Sequence, residues 1–230
     1  MNVPPYVDLD PALLRDGTEV TRLLFVRHAQ PIGTPEGVVP QGWLDASLSA
    51  LGLEQAAAVA ARLVDEPIAA VACSHMVRAR STAEEIAARH SLDVVVRPGL
   101  AEIDVYADMP ADVWPAAHVG EAVWTAAHAE FARNPRWDVY PFGETGKQLR
   151  ARVAEAVEEL VALHPGETVA VVCHGGAINA YLAHILGIEV DMFFLPAHAS
   201  VTVVLAAADG RRVVECLNER HHLDAGLRTY

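Results

Sequence analysis

The stretch Leu23-Leu24-Phe25-Val26-Arg27-His28-Ala29-Gln30 determines how the chain is expected to fold. Its apolar residues run directly into an Arg-His pair, and Pro31 and Gly33 then end the run. An unbroken apolar run of this length is typical of a strand that is buried on both faces inside a parallel sheet. The Arg-His pair therefore falls at the carboxyl end of a central strand, where α/β sheets bind ligands. Because these two side chains are costly to bury without an anion, we expect a bound anion there, most simply phosphate.

Two further apolar runs also end in polar residues. The run from Ile68 to Cys73 ends at Ser74 and leads to Arg78 at the opening of a helix, and the run from Thr168 to Cys173 ends at His174-Gly175-Gly176. Carboxyl ends of parallel strands share one edge of a sheet, so these residues should join Arg27 and His28. Helix amino termini would add backbone N–H groups, and the glycines would let the backbone approach a ligand. Each motif alone is weak, but their agreement predicts an oxyanion clamp that contains a histidine.

The order of elements predicts an α/β fold with a largely parallel central sheet, helices on both faces and a C-terminal β-hairpin. We expect an N-terminal arm over residues 1–20 and a single domain over residues 21–230, with a variable, lid-like segment at 104–142 where prolines separate pieces of helix. Helices are predicted from Ser49 to about Asp65, Arg78 to His90, Thr145 to Leu163 and Ala177 to Leu186; the remaining strands are predicted at Val94–Val96, Ser200–Ala207 and Arg211–Leu217.

Composition restricts the classes of partner and the cellular compartment. With 230 residues and 52% hydrophobic content, the chain is large enough for one sizeable core. A formal net charge of -13 disfavours nucleic acid and membranes as partners. The cysteines, Cys73, Cys173 and Cys216, show neither a disulfide framework nor zinc spacing, so we expect reduced thiols and a cytoplasmic location. The sequence leaves a homodimer open.

From Arg22 to Leu223 the chain resembles the histidine phosphatase superfamily, the phosphoglycerate mutase-like group, in its larger branch. The stretch around Arg27-His28 resembles the Arg-His-Gly signature of that family, although Ala29 stands where glycine is usual. Six motifs occur in the family's order, which makes the resemblance specific. The other five are Gln41-Gly42 through Gln55-Ala56, Ser74 with Arg78-Ala79 and Thr82-Ala83, Glu102-Ile103-Asp104, Gly143-Glu144-Thr145, and Val171 through Gly176.

The resemblance implies a metal-independent phosphomonoesterase that acts on a small phosphorylated metabolite and releases inorganic phosphate. No cofactor is expected, because the clamp takes the place of a metal ion. His28 would be the nucleophile and form a phosphohistidine, and Glu102 would protonate the leaving oxygen and then activate water. Arg27, Arg78 and a cationic His174 would be the other catalytic groups, because they would hold the phosphoryl oxygens. The expected substrate contacts are Arg27, Arg78, Thr34, Gln41 and Gly175.

Two alternatives stay open at this stage. One is a phosphoglycerate mutase, but Glu102 is followed by Ile-Asp-Val-Tyr and not by the Arg-His-Tyr-Gly stretch of the glycolytic mutases, which favours a phosphatase. The other is a non-catalytic module that binds a phosphorylated ligand. Loss of His28 or Glu102 would favour this alternative, but both residues are present. Thr34 stands where many family members have a phosphate-contacting asparagine. His198 either approaches the site or only packs in the core.

Overall fold

The computed structural model describes residues 14, 19–33, 45–110, 113–140 and 143–230. These residues form one sheet with the strand order β3-β2-β4-β1-β5-β6. Strands β1 to β4 are parallel, whereas β5 runs antiparallel to β1 and forms a hairpin with β6. The predicted fold class, including the hairpin, is therefore confirmed. The strands are β1 (Val20–Arg27), β2 (Ile68–Cys73), β3 (Val94–Val96), β4 (Thr168–Cys173), β5 (Val201–Ala207) and β6 (Arg212–Glu219).

Two of the helices begin after residues whose side chains cap them. The Ser49 side chain accepts a hydrogen bond from the Gly52 N–H at the start of the first helix, as its type and position predict. Thr145 and Gln148 form a reciprocal capping box at the start of the fifth. The helices are α1 (Ala50–Arg62), α2 (Val77–His90), α3 (Pro115–Val119), α4 (Glu121–Arg133), α5 (Gly146–Leu163) and α6 (Gly175–Leu186).

Strand β1 is apolar throughout its centre because it contributes to two hydrophobic clusters, one on each face of the sheet. Leu24 and Val26 belong to the cluster that includes residues of α1 and α2. Leu23 and Phe25 belong to the cluster that includes residues of α5 and α6. Because successive side chains of a strand point to opposite faces, an uninterrupted apolar run is what such a position requires.

The segment at 104–142 contains more regular structure than the prolines suggest. Helix α4 spans 13 residues. Pro115 occupies the first turn of α3 and Pro135 follows α4, so these prolines bound the helices and do not break them. Tyr106, Trp124 and Tyr140 are neighbours in an aromatic cluster that packs the segment together.

The predicted arm falls mostly outside the described residues. Its described part includes Leu14, which is buried against Leu205 and Ala207 of β5. Within the part of the chain that the structure describes, no helix combines the length and the apolar character needed to span a membrane.

Candidate active site

The register of β1 against β4 brings the two histidine motifs together. Arg27 pairs with Cys173 at the ends of these parallel strands, and the next residue, His28, donates its backbone N–H to the Cys173 carbonyl at 2.9 Å. The rings of His28 and His174 consequently lie 5.0 Å apart, centroid to centroid. The backbone N–H of Ser74, at the end of β2, donates to Val172 of the same β4 strand. The three strand ends thus meet at one edge of the sheet, as the order of elements predicts.

His28 is held in one tautomer. Its Nδ1 lies 2.8 Å from the carbonyl oxygen of Ala29, which only accepts hydrogen bonds, so Nδ1 carries the proton. Its Nε2 accepts a hydrogen bond from Nε of Arg78 at 3.2 Å and therefore carries the lone pair. The ring is buried, and Thr82 fixes the next residue by accepting the Ala29 N–H at 3.1 Å. The lone pair that a nucleophilic imidazole needs is consequently directed toward Arg78.

Burial keeps the two facing histidines uncharged. It lowers the pKa of His28 well below the usual range, and electrostatic interactions with His174, Arg78 and Arg27 lower it further. Burial also lowers the pKa of His174 well below the usual range, and the guanidinium groups of Arg78 and Arg27 add to the effect. Without a bound anion, burial and the two guanidinium groups therefore disfavour the cationic ring, and a cationic His174 stays a prediction for the site with phosphate bound.

Several polar atoms around His28 have no hydrogen-bond partner among the described residues. They are both ring nitrogens of His174 and Nε of Arg27, all of them buried. Nη1 of Arg27 is engaged, because it donates to the Pro196 carbonyl at 2.5 Å. Buried polar atoms in proteins nearly always have partners, so three unpartnered nitrogens beside one histidine indicate a ligand site. His174 also immediately precedes α6, whose amino terminus favours an anion.

His198 approaches the site, which settles the question that the sequence left open. Its ring centroid lies 5.5 Å from that of His28, and its Nδ1 lies 2.9 Å from the Thr229 hydroxyl. Burial lowers the pKa of His198 to about 3, and the charges of Arg27 and Arg78 contribute. The same hydroxyl accepts a hydrogen bond from Gln55, whose side-chain oxygen accepts the Gln30 N–H. A third neutral imidazole therefore lines the site, held by the C-terminal segment.

Glu102 reaches the same edge of the sheet from the loop after β3. One carboxylate oxygen accepts the backbone N–H of Gly176 at 3.1 Å, and the other accepts that of Ile103 at 3.0 Å. A Cβ atom on Gly176 would lie 2.2 Å from Oε1 of Glu102. A side chain at this position would therefore displace the carboxylate from its contact with the first turn of α6.

Arg152 of α5 fixes the loop that carries Glu102, although no pattern in the sequence points to this residue. Its guanidinium donates to both carboxylate oxygens of Glu144 at 2.6 and 2.7 Å. It also donates to the carbonyl oxygens of Gly99 at 2.9 Å, Ala101 at 2.7 Å and Glu102 at 2.9 Å. These five hydrogen bonds match the full donor capacity of a guanidinium. Arg152 thereby attaches the loop that carries Glu102 both to α5 and to Glu144.

A cavity of about 670 Å³ opens beside Glu102 and Arg78. Its wall includes the apolar side chains of Met76 and Ile103. Besides Glu102, the carboxylates of Asp45, Asp104, Asp108 and Glu144 line it. The cavity has the size of a small-molecule pocket and therefore has room for more than a phosphate group.

The structure is informative for only one of the three additional substrate contacts that the sequence suggested. Thr34 and Gln41 lie outside the described residues. Gly175 is the buried first residue of α6, and a Cβ atom on it would lie 3.7 Å from Nε of Arg27. Among the described residues, no group of three or more His, Cys, Asp or Glu side chains is arranged to hold a metal ion.

A family model described as histidine phosphatase superfamily (branch 1) matches residues 23–219. The chain belongs to the histidine phosphatase superfamily. The metal-independent phosphoserine phosphatase of Arabidopsis thaliana is 31% identical over 210 residues, which cover 90% of this chain and 85% of the relative. The solved structure of a mycobacterial glucosyl-3-phosphoglycerate phosphatase is 27% identical with a TM-score of 0.72, covering 87% of this chain and all of that one.

Relatives with a different name are present as well. A probable phosphoglycerate mutase of Yersinia pestis is 28% identical over 180 residues, which cover 77% of each chain. Membership of this superfamily, predicted from the order of six motifs, is thus confirmed. The names of the relatives divide between phosphatase and mutase, so the site itself must indicate which of the two reactions fits this chain better.

Proposed function

We propose that this protein is a metal-independent phosphomonoesterase whose reaction passes through a phosphohistidine at His28. The observation that carries the proposal is the fixed tautomer of His28, which presents a lone pair on Nε2 beside buried nitrogen atoms without partners. A neutral imidazole is the form that attacks phosphorus, and the lowered pKa maintains that form. The phosphatase names of the relatives support the same reaction class.

The phosphoryl group is held by Arg27, Arg78 and His174 in this proposal. The two guanidinium groups supply positive charge and hydrogen-bond donors to its oxygens. A phosphate dianion beside His174 favours the protonated ring, which raises the pKa of this group from its value in the empty site. A cationic His174 then belongs to the phosphate-bound state. The clamp supplies the charge stabilisation that a metal ion supplies in other phosphatases.

The reaction takes place in two steps. In the first, Nε2 of His28 forms a bond to phosphorus while the bond from phosphorus to the alcohol oxygen breaks, and Glu102 gives its proton to that oxygen. In the second, Glu102 takes a proton from water as the water oxygen bonds to phosphorus and the bond to Nε2 breaks. Inorganic phosphate leaves, and His28 and Glu102 return to their starting forms.

Phosphatase activity fits the cavity better than mutase activity does. A phosphoglycerate mutase must bind the carboxylate of phosphoglycerate next to the acid, whereas here the wall beyond Glu102 carries Asp104 and Asp108. The segment at 104–142 contributes part of this wall, which supports its role as a lid of a single catalytic domain. The free, buried thiols of Cys73 and Cys173 support a cytoplasmic location.

Trapping of the intermediate tests the proposal. Wild-type protein mixed with a radiolabelled phosphomonoester should retain label that is labile in acid and stable in base, and a chelator should not change the rate of turnover. His28→Ala should abolish both the label and turnover. His198→Asn is the matched control, because it removes the neighbouring ring but should retain the label. Label that persists in His28→Ala would assign the nucleophile to another residue.

A further inference from the structure

In the proposed reaction, the alcohol portion of the substrate lies in the cavity beside Glu102 and Arg78. Arg78 belongs to the phosphate clamp and Glu102 is the proposed proton donor to the leaving oxygen, and both line the cavity. The part of the substrate beyond that oxygen must consequently extend into these 670 Å³. The charges on the cavity wall therefore select among phosphomonoesters.

Negative charge on this wall is held in place by backbone hydrogen bonds. One carboxylate oxygen of Asp45 accepts the Val77 N–H at the start of α2 at 2.5 Å, and one of Asp104 accepts the Tyr106 N–H at 3.0 Å. Asp108 adds a third, exposed carboxylate to the lining. A ligand in the cavity therefore meets several carboxylates in its lining.

The positive charges of the lining are already engaged. Arg152 uses its five donors on Glu144 and on three backbone carbonyls, and Arg78 faces the phosphate position. His75 supplies the remaining basic group of the described lining. The residues that the structure does not describe include a single basic side chain, Arg15. A second anionic group on the substrate has no guanidinium or ammonium partner in the described cavity.

From this charge distribution we propose that the enzyme prefers phosphomonoesters whose alcohol portion carries an ammonium group and discriminates against those whose alcohol portion carries a carboxylate. The proposal rests on the proposed function. The phosphate dianion is balanced by Arg27 and Arg78, so the field beyond the leaving oxygen is that of the carboxylates. An ammonium group is attracted by this field, and a second anion is repelled by it.

Binding of three small esters with different charges tests the preference. Phosphoethanolamine, 2-hydroxyethyl phosphate and phosphoglycolate carry a cationic, a neutral and an anionic group on a similar two-carbon alcohol. Dissociation constants are measured by calorimetry on His28→Ala protein, because the three alcohols differ as leaving groups and turnover would mix binding with chemistry. A pH of about 8 keeps the amine of phosphoethanolamine protonated. Phosphoserine carries both charges and does not distinguish the alternatives.

We expect phosphoethanolamine to bind most tightly and phosphoglycolate most weakly, with dissociation constants that differ by about tenfold or more. Asp108→Asn should reduce that ratio by about three- to tenfold, and Asp108→Lys should make phosphoglycolate the better ligand. Asp93→Asn is the matched control, since it removes an equal charge from an exposed residue at the amino-terminal end of β3 and should leave the ratio unchanged.

Equal affinities, tighter binding of phosphoglycolate, or an equal effect of Asp108→Asn and Asp93→Asn would overturn the proposal. Failure of the proposed function has a different signature. In that case inorganic phosphate does not bind to the His28→Ala protein, or the wild type neither hydrolyses p-nitrophenyl phosphate nor retains label on His28. The charge preference alone is refuted if the protein binds phosphate and hydrolyses p-nitrophenyl phosphate, but binds the three esters in the reverse order.

Discussion

Arg152→Lys should separate the positioning of Glu102 from every other property of the site. The ammonium of lysine has three donors, so at least two of the five hydrogen bonds of Arg152 are lost. A hydrogen bond to a charged group contributes about 1.5–3 kcal/mol, which puts the loss at about 3–6 kcal/mol before relaxation. The side chain is 26% exposed, so water replaces part of what is lost, and we expect a decrease of about 2–3 kcal/mol in the free energy of unfolding.

The catalytic consequence should depend on the leaving group. A loop that loses its attachment to α5 lets Glu102 move, and a displacement of about 1 Å costs on the order of 100-fold in rate. In single-turnover experiments, Arg152→Lys should lower the rate at which 2-hydroxyethyl phosphate phosphorylates the enzyme by about 10- to 100-fold. The rate of phosphorylation by p-nitrophenyl phosphate should fall by less than about threefold, because p-nitrophenolate leaves without a proton. Single turnover is required because the second step also uses Glu102.

Arg150→Lys provides the matched control on the same helix. Arg150 donates to the Ile188 carbonyl at 2.6 Å and to Asp191 at 2.9 Å, and neither partner belongs to the loop that carries Glu102. This variant should lose stability to a similar extent and retain the wild-type ratio of the two rates. The reasoning fails if Arg152→Lys slows both substrates equally, or if Arg150→Lys changes the ratio as much.

Three other predictions concern the acid and the buried histidines. Glu102→Gln should slow phosphorylation by alkyl phosphates far more than by p-nitrophenyl phosphate with little change in KM, and equal losses in the burst phase would exclude Glu102 as the acid. Gly176→Ala places a Cβ atom 2.2 Å from Oε1 of Glu102. It should therefore slow phosphorylation by alkyl phosphates about tenfold more than phosphorylation by p-nitrophenyl phosphate, and an unchanged ratio of these two rates would contradict the contact. His28, His174 and His198 have lowered pKa values in the folded protein, so below about pH 6.5 the unfolded chain binds more protons than the folded one. The free energy of unfolding should therefore fall as the pH decreases, by at most about 1.4 kcal/mol per pH unit for each ring. Denaturant titrations between about pH 7 and 5 would detect this loss, which added phosphate should reduce, and a rise in stability over that range would contradict it.

The strand ends could be predicted from sequence because their signal is local. The apolar run before Arg27 requires a strand that is buried on both faces, and the same holds for the run before His174. Since parallel strands share one carboxyl edge, the meeting of these residues needed no further information. The start of α5 was predicted at Thr145 and lies at Gly146, and the capping box that begins it involves only Thr145 and Gln148.

Other parts of the site depend on contacts between distant segments, which leave no local pattern. Arg152 lies in the middle of an amphipathic helix, where a charged residue is normally solvated, and its carbonyl partners are about 50 residues away. His198 is placed by Thr229, a contact that no spacing indicates. The charge of His174 depends on complete burial between three strand ends, which only the assembled sheet reveals.

The order of strands makes phosphate binding a measure of folding cooperativity. Strand β1 lies between β4 and β5, so both of its hydrogen-bonding edges are filled by strands from the second half of the chain. A proteolytic fragment that ends before Thr168 leaves β1 without either partner and separates His28 from His174. Such non-local pairing slows folding, since long loops must close before the contacts form. The domain should therefore lose its ligand affinity and its sheet in one denaturation transition, and two fragments divided at residues 141–142 should regain phosphate binding only on reassociation.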